Sequence, residues 1–176
     1  MPAKVILNPY AGRWKALQMR EQLEHELGKA GIAYELIQTE TPRHGIELAA
    51  QATLAGFSPI ISAGGDGSIS EVVNGVVQAS VSRGTPPPPI GVLPMGTAND
   101  LIVNLKLPLN LGQAVQVIAA GQTRFIDLGK VTAWDVDGKS AQTRYFDNNS
   151  AIGLEPSVTL IQQQINQVQS EAAERE

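Results

Sequence analysis

A chain of 176 residues with 43% hydrophobic and only 17% charged side chains holds apolar material for one ordinary core, or for one domain and part of another. Its formal net charge of -4, with no basic stripe, argues against sequence-independent nucleic-acid binding, which needs clustered cations to neutralise phosphates. With no cysteine and two isolated histidines there is neither a disulfide framework nor a thiolate zinc site, and a reducing cytosol is the expected setting.

Met1-Pro2-Ala3-Lys4 runs straight into a short apolar strand, Val5-Ile6-Leu7, without a signal-peptide apolar region. No apolar run is long enough to cross a bilayer, so any membrane contact is expected to be peripheral. After Asn8-Pro9, the stretch Trp14 to Ala30 carries Leu17, Leu23 and Leu27 at helical spacing, and Gly31 stops it. A second strand, Ile32 to Gln38, leads through "TETPRH" into a helix with Ile46, Leu48, Ala49 and Ala52, closed by Gly56. Then follow strand Pro59 to Ala63, a glycine-rich loop, helix Ile69 to Ala79, the stiff connection Pro86 to Pro89, strand Ile90 to Leu93, another loop, and helix Ala98 to Leu105. This βαβαβαβα alternation implies a three-layer α/β fold, a parallel sheet with helices on both faces.

Beyond one further helix, Asn110 to Ala120, the pattern changes. Polar and apolar residues intermix from "RFIDLGKVTAW" through a turn at Asp137-Gly138 to "AQTRYFDNNSAIGLEPSV", which reads as the strands of a β-rich second domain. The boundary is placed around Gly121 to Asp127, giving an α/β unit over 1–123 and an incomplete second domain over 124–176. In the last stretch Ile161, Ile165, Val168 and Ala172 share one helical face that requires a partner surface.

The segment "SAGGDGSISEVVNG" carries the chemistry. Gly64, Gly65 and Gly67 directly follow the third strand, where glycines permit positive φ and leave amide hydrogens uncovered. Ser68 is the expected N-cap of the next helix, whose free amides and dipole favour an anion. Asp66 is out of place beside phosphate oxygens unless a Mg²⁺ ion, a protonated partner or a hydroxyl to be activated lies between; the plain alternative is a helix cap. The loop lacks the third glycine of a dinucleotide fingerprint and the lysine of a P-loop, and no G-x-S-x-G elbow surrounds its serines.

Three other loops follow strand ends and so share one sheet edge: "NPYAGR", Thr39 with "ETPRH", and "PMGTAND". Arg13 offers a bidentate fork to phosphate. Thr97, after Gly96, is expected to cap its helix and present a hydroxyl, with Asn99 and Asp100 in the first turn. Trp14, between Arg13 and Lys15, fits contact with a ligand as well as simple packing. His44 is read as a solvated or capping side chain.

"NPYAGR", "GGDGSISEVVNG" and "GVLPMGTANDL", in that order and spacing, resemble the catalytic domain of the diacylglycerol kinase family, which includes bacterial lipid kinases and sphingosine and ceramide kinases. The resemblance extends over about residues 4 to 158. It implies ATP- and Mg²⁺-dependent phosphorylation of a lipid hydroxyl by a cytoplasmic protein peripheral to the membrane, with a β-rich second domain closing the cleft. By matching motifs it implies that Asn8, Pro9, Tyr10, Ala11, Gly12, Thr39, Gly64, Gly65, Asp66, Gly67, Ser68, Ile69, Ser70 and Thr97 hold the nucleotide, with Asp66 catalytic; the loop readings add Arg13, Gly96, Asn99 and Asp100. Asn148 matches the Asn of the strand that opens the family's second domain. Ser68 replaces the more usual Thr, and Ser70 stands where bacterial members often carry Asn. The family's later acidic metal-site residues and its general base have no counterpart here, so weak or absent turnover is expected. Two alternatives stay open: a soluble-substrate kinase of the NAD kinase kind, and a chain that holds nucleotide without turning it over. The partners expected are ATP, a lipid at a membrane surface and, as an open option, a second copy of the chain.

Overall fold

The computed structural model describes residues 1–148. The elements in order are β1 (Ala3–Leu7), α1 (Lys15–Gln18), α2 (Arg20–Lys29), β2 (Tyr34–Gln38), α3 (His44–Leu54), β3 (Ile60–Gly64), α4 (Asp66–Arg83), β4 (Ile90–Pro94), α5 (Asp100–Asn104), α6 (Leu111–Ala119), β5 (Gly129–Trp134) and β6 (Ala141–Phe146). The amphipathic pattern over 158–176 and the segment leading to it lie outside the described residues.

The first four strands form a parallel sheet in the order β2-β1-β3-β4. Successive side chains point to opposite faces, and both faces are covered. Val5, Leu7, Ile61, Ala63 and Leu93 pack with Leu23 and Leu27 of α2 and with Leu111, Ala114 and Val115 of α6. Ile6 and Ile60 pack with Leu48, Ala49 and Ala52 of α3 and Val72 and Val76 of α4. Burial on both sides is why these strands read as unbroken apolar runs instead of alternating ones. Against Gly75 of α4 a Cβ would approach Ala49 Cβ to 2.8 Å and the Ala50 nitrogen to 3.0 Å, so glycine permits the close α3–α4 contact. From β1 the chain passes to β2 on one side and later to β3 on the other. The strand order therefore reverses between β1 and β3, and their C-terminal ends flank the crevice where parallel sheets bind ligands.

Local details depart from the sequence reading. The helix expected over Trp14 to Ala30 is broken at Met19 and starts late, because Gly12, Arg13 and Trp14 form a left-handed turn with φ of 62°, 58° and 70°. The helix after the glycine loop begins at Asp66 and ends at Arg83, where Gly84 takes φ 65°. Its N-cap is Gly65, not Ser68. Gly65 itself is extended (φ -102°), and none of Gly64, Gly65 and Gly67 has positive φ; these glycines serve close approach, not left-handed backbone. The helix after β4 is capped by Asn99 at φ 54° instead of by Thr97.

β5 and β6 form a separate antiparallel hairpin whose turn contains Gly138 at φ 66°. Val131, Trp134 and Val136 are exposed on it. One buried side chain fastens this hairpin to the first sheet's helical layer. Asn74 of α4 is 3% exposed; its Nδ2 donates to the Tyr145 carbonyl at 2.8 Å and its Oδ1 accepts from the Tyr145 N–H at 2.9 Å, as a neighbouring strand would. Loss of a doubly used, buried amide leaves two backbone groups unsatisfied, so Asn74→Ala is expected to destabilise the hairpin's docking by about 1–3 kcal/mol. Hydrogen exchange checks this: the Tyr145 amide should lose protection while Val5 in the sheet keeps it, and retained protection at Tyr145 would show that other contacts hold the hairpin.

Candidate functional site

The ladder ends bring all four loops to one level: Leu7 pairs with Gln38 and with Ala63, and Gly64 with Pro94. The helices α3, α4 and α5 are among those that begin at this edge, and each leaves N–H groups without intrahelical partners. At α3, Glu71 takes them, its carboxylate accepting from the Arg43 and Gly45 N–H groups at 3.0 Å each. At α5, Asp66 Oδ1 accepts from the Leu101 N–H at 3.1 Å. At α4 no side chain caps the end, and the N–H groups of Asp66, Gly67 and Ser68 have no acceptor among the described residues. α4 thus gives its own two acidic residues to its neighbours and keeps a bare, positively polarised N-terminus. The capping role weighed for Asp66 is real, but it is exerted on α5, and Oδ2 has no hydrogen-bond partner among the described residues.

The glycine loop is tight on one side and open on the other. A Cβ on Gly64 would lie 2.5 Å from Ser68 Cβ; its absence lets Ser68 fold back, where its Oγ accepts from Asn8 Nδ2 at 2.9 Å. Asn8 Oδ1 in turn accepts from the Tyr10 N–H at 3.0 Å, so the first and third loops are joined across the strand-order reversal. A Cβ on Gly65 would sit 3.1 Å from the Gly96 Cα, which brings the third and fourth loops into contact. A Cβ on Gly67 would meet nothing within 4 Å. Packing does not require glycine there; its effect is to keep the space over the free amides clear.

Beside this platform lies a cavity of about 420 Å³, lined by Asn8, Tyr10, Thr39, Glu40, Thr41, Pro42 and Glu71. A smaller one, about 210 Å³, is lined by Gly12, Lys15, Met19, Pro94, Met95, Gly96 and Thr97. The structure thus brings Asn8, Tyr10, Thr39, Gly64, Gly65, Asp66, Gly67 and Ser68 to one edge. Other sequence candidates have different duties there. Pro9 and Ile69 are buried, Ile69 within a core of Val73, Leu101 and Ile102, so Ile69 can offer a ligand only its backbone. Ala11 packs against the core under α2. Ser70 is half-buried and its carbonyl accepts from Asn74 Nδ2 at 2.9 Å. Both ends of the Asn99 amide are taken by the Gly96 backbone at 3.1 Å, which makes Asn99 a brace of its own loop. Arg13, Thr97 and Asp100 are exposed. His44 Nδ1 accepts from the Glu40 N–H at 3.1 Å, a loop-closing contact, as a capping histidine does.

Comparison with known proteins gives the family. Residues 2–131 match the family model of the diacylglycerol kinase catalytic domain. The chain is 32% identical over 151 residues to a diacylglycerol kinase of Staphylococcus saprophyticus, covering 86% of this chain and 45% of that protein. It is 34% identical over 158 residues to one of Staphylococcus aureus RF122, covering 86% and 43%. A crystal structure of a diacylglycerol kinase from Bacillus anthracis superposes with a TM-score of 0.59 at 22% identity, covering 74% of this chain and 46% of that one, which shows a shared fold. The chain therefore belongs to the diacylglycerol kinase catalytic-domain family and spans less than half the length of these relatives.

Two acidic residues at the edge escaped the sequence reading. Glu71 follows the glycine loop by a turn of helix, and only the fold shows that it reaches α3. Asp147, beyond the family match, stands after β6 between two fixed points: Tyr145, held by Asn74, and Asn148, whose Oδ1 accepts from Asn104 Nδ2 at 3.1 Å. Burial raises the Asp147 carboxyl above its ordinary range; a hydrogen bond from its own backbone opposes this and the Asp66 charge adds to it. A folded-state pKa above the unfolded value means that the native state holds the proton more tightly, so stability is lost as pH rises through the raised pKa. Asp147→Asn is therefore expected to raise the melting temperature at pH 8, with the gain vanishing below the ordinary Asp pKa of about 3.9. A melting series from pH 3 to 8 checks this, and a gain of equal size at pH 3 would point to packing instead of charge.

Proposed function

We propose that this chain holds the nucleotide of an ATP-dependent lipid kinase, transferring the γ-phosphoryl group of ATP to a lipid hydroxyl. The observation that carries the reading is the uncapped N-terminus of α4 under Gly67, free amides with cleared space above them at the strand-order reversal. Such an end is suited to phosphate oxygens, and the adjoining cavity, with Thr39 and Tyr10 in its wall, has room for more of the nucleotide. The bound nucleotide with Mg²⁺ would supply the phosphoryl group and neutralise its charge. The protein's part is positioning. The Asn8–Ser68 link fixes the spacing of the first and third loops, and Asp66, held through Oδ1 to α5, keeps Oδ2 for a divalent cation or for the proton of an acceptor hydroxyl. Family membership supports a kinase, and the diacylglycerol kinases among the relatives favour a lipid acceptor.

Titration of ATP with and without Mg²⁺ into the chain, beside phosphate-transfer assays offering diacylglycerol or NAD, tests the reading; transfer to NAD alone would replace the lipid with a soluble acceptor. Two substitutions sharpen it. Asp66→Asn keeps an oxygen for the Leu101 N–H and removes the charge, so the fold should persist while Mg²⁺-dependent turnover falls by about 100-fold or more. Gly67→Ala, whose Cβ meets no protein atom, should leave the melting temperature unchanged and weaken ATP binding roughly 10- to 100-fold. Unaltered ATP affinity in the Gly67 variant would move the phosphates elsewhere.

A further inference from the structure

The connection from α4 to β4 runs through four consecutive prolines, Pro86 to Pro89, to which the kinase reading gives no role. Proline fixes its own φ near the polyproline II value and drives the residue before it into the extended region, so Thr85 to Pro89 have little choice of conformation. The peptide bonds entering the four prolines are trans, and no turn or helix interrupts them. Both ends are fastened to the body. The Thr85 N–H donates to the Ser80 carbonyl at 3.1 Å, and the Pro89 carbonyl accepts from the Ile60 N–H at 3.0 Å. A polyproline II helix repeats every three residues, so Pro86 and Pro89 share one edge, Pro87 lies on a second and Pro88 on the third. Pro88 is half-buried, whereas Pro86, Pro87 and Pro89 are exposed, so the third edge faces the protein and the other two face solvent. Charge is placed at one end. Arg83, three residues before Pro86, is exposed and makes no ion pair among the described residues. It is the one charged residue between Glu71 and Asp100. A stiff connection accounts for prolines, but it does not call for an apolar ridge turned outward beside an unpaired cation.

We propose that Arg83 to Pro89 is a docking ligand for a partner protein domain that recognises polyproline II, with aromatic rings of the partner against Pro86, Pro87 and Pro89 and a carboxylate against Arg83. Aromatic-lined grooves take such a segment by its preformed shape, and a segment already held at both ends loses little conformational freedom on binding. The guanidinium at one end of the ridge sets the direction in which a groove with one acidic end reads it. A nucleic acid would need a cluster of cations where this surface has one. The segment lies where α4 ends and β4 begins, at the opposite end of the sheet from the glycine platform, so a docked partner leaves the cleft open whatever the cleft binds.

Titration of the nitrogen-15-labelled chain with two isolated probe domains, an SH3 domain that takes Arg-x-x-Pro-x-x-Pro ligands and a WW domain, tests this by the amide spectrum. With at least one probe the amide signals of Arg83, Gly84, Thr85 and Ile90 should shift, while those of Val5 in the sheet and Gly67 on the platform stay in place. Arg83→Glu should weaken that binding about 10-fold. The double substitution Pro86→Ala and Pro89→Ala should weaken it about 10-fold or more. Both variants alter exposed side chains, so their unbound sheet amides should keep the signals of the parent chain, which separates loss of docking from loss of fold. Failure of both domains to shift the amides around the prolines, shifts centred on Gly67 instead, or binding undiminished by either variant would each overturn the proposal and leave the prolines as a stiff connection.

Discussion

Much of the candidate site follows from the allocation of one helix's carboxylates. α4 carries Asp66 in its first turn and Glu71 five residues on, and neither serves its own end. Asp66 closes α5 and Glu71 closes α3, so two neighbouring helices are held at the sheet edge by charge-assisted contacts to their first amides. The same contacts remove competing anion sites from that edge. The bare amides of α4 are left as the platform for a negatively charged ligand, and an anion is thereby directed to the place where the strand order reverses.

The glycines around this platform have unlike reasons for being there. Gly64 admits Ser68 and Gly65 admits Gly96, both by close approach, and neither uses the left-handed backbone that glycine allows. Left-handed φ falls instead on Gly12, Arg13, Trp14, Arg43 and Asn99, all in loops or caps at the same edge. Four of those five carry side chains, so the edge stores backbone strain that the packed sheet behind it must support. Burial of Leu7, Ile61 and Leu93 on one face and Ile6 and Ile60 on the other provides that rigid backing.

How much of this was legible follows from the range of each interaction. Strand-and-helix alternation, a parallel sheet and convergence of the loops could be read because they depend on hydrophobic period and on glycine or proline punctuation, both local to the chain. The three linked motifs carried the family. Caps were misread for a physical reason: Ser68 and Thr97 have the chemistry of N-caps, but a carboxylate 35 residues away, Asp66, reaches the α5 amides, and extended Gly65 already starts α4. Nothing local distinguishes a serine that caps from one that accepts a bond from Asn8. Asp147 was overlooked for the same reason, since its surroundings are assembled by Asn74 and Asn104, 73 and 43 residues before it in the numbering.

Those two asparagines also define how the second sheet communicates with the first. Asn74 sits on the helix whose N-terminus is the platform, and its Nδ2 bonds both the Ser70 carbonyl, within the second turn of that helix, and the Tyr145 carbonyl of β6. A displacement of β6 is therefore felt one helical turn from Gly67. Asn104 ties Asn148 to α5, the helix that Asp66 closes. Both connections run to elements that position Asp66, so the hairpin is mechanically part of the site although it contributes no residue to the glycine loop. The charge of Asp66 acts through the same junction: with the hairpin docked, it adds to burial in disfavouring ionisation of the Asp147 carboxyl.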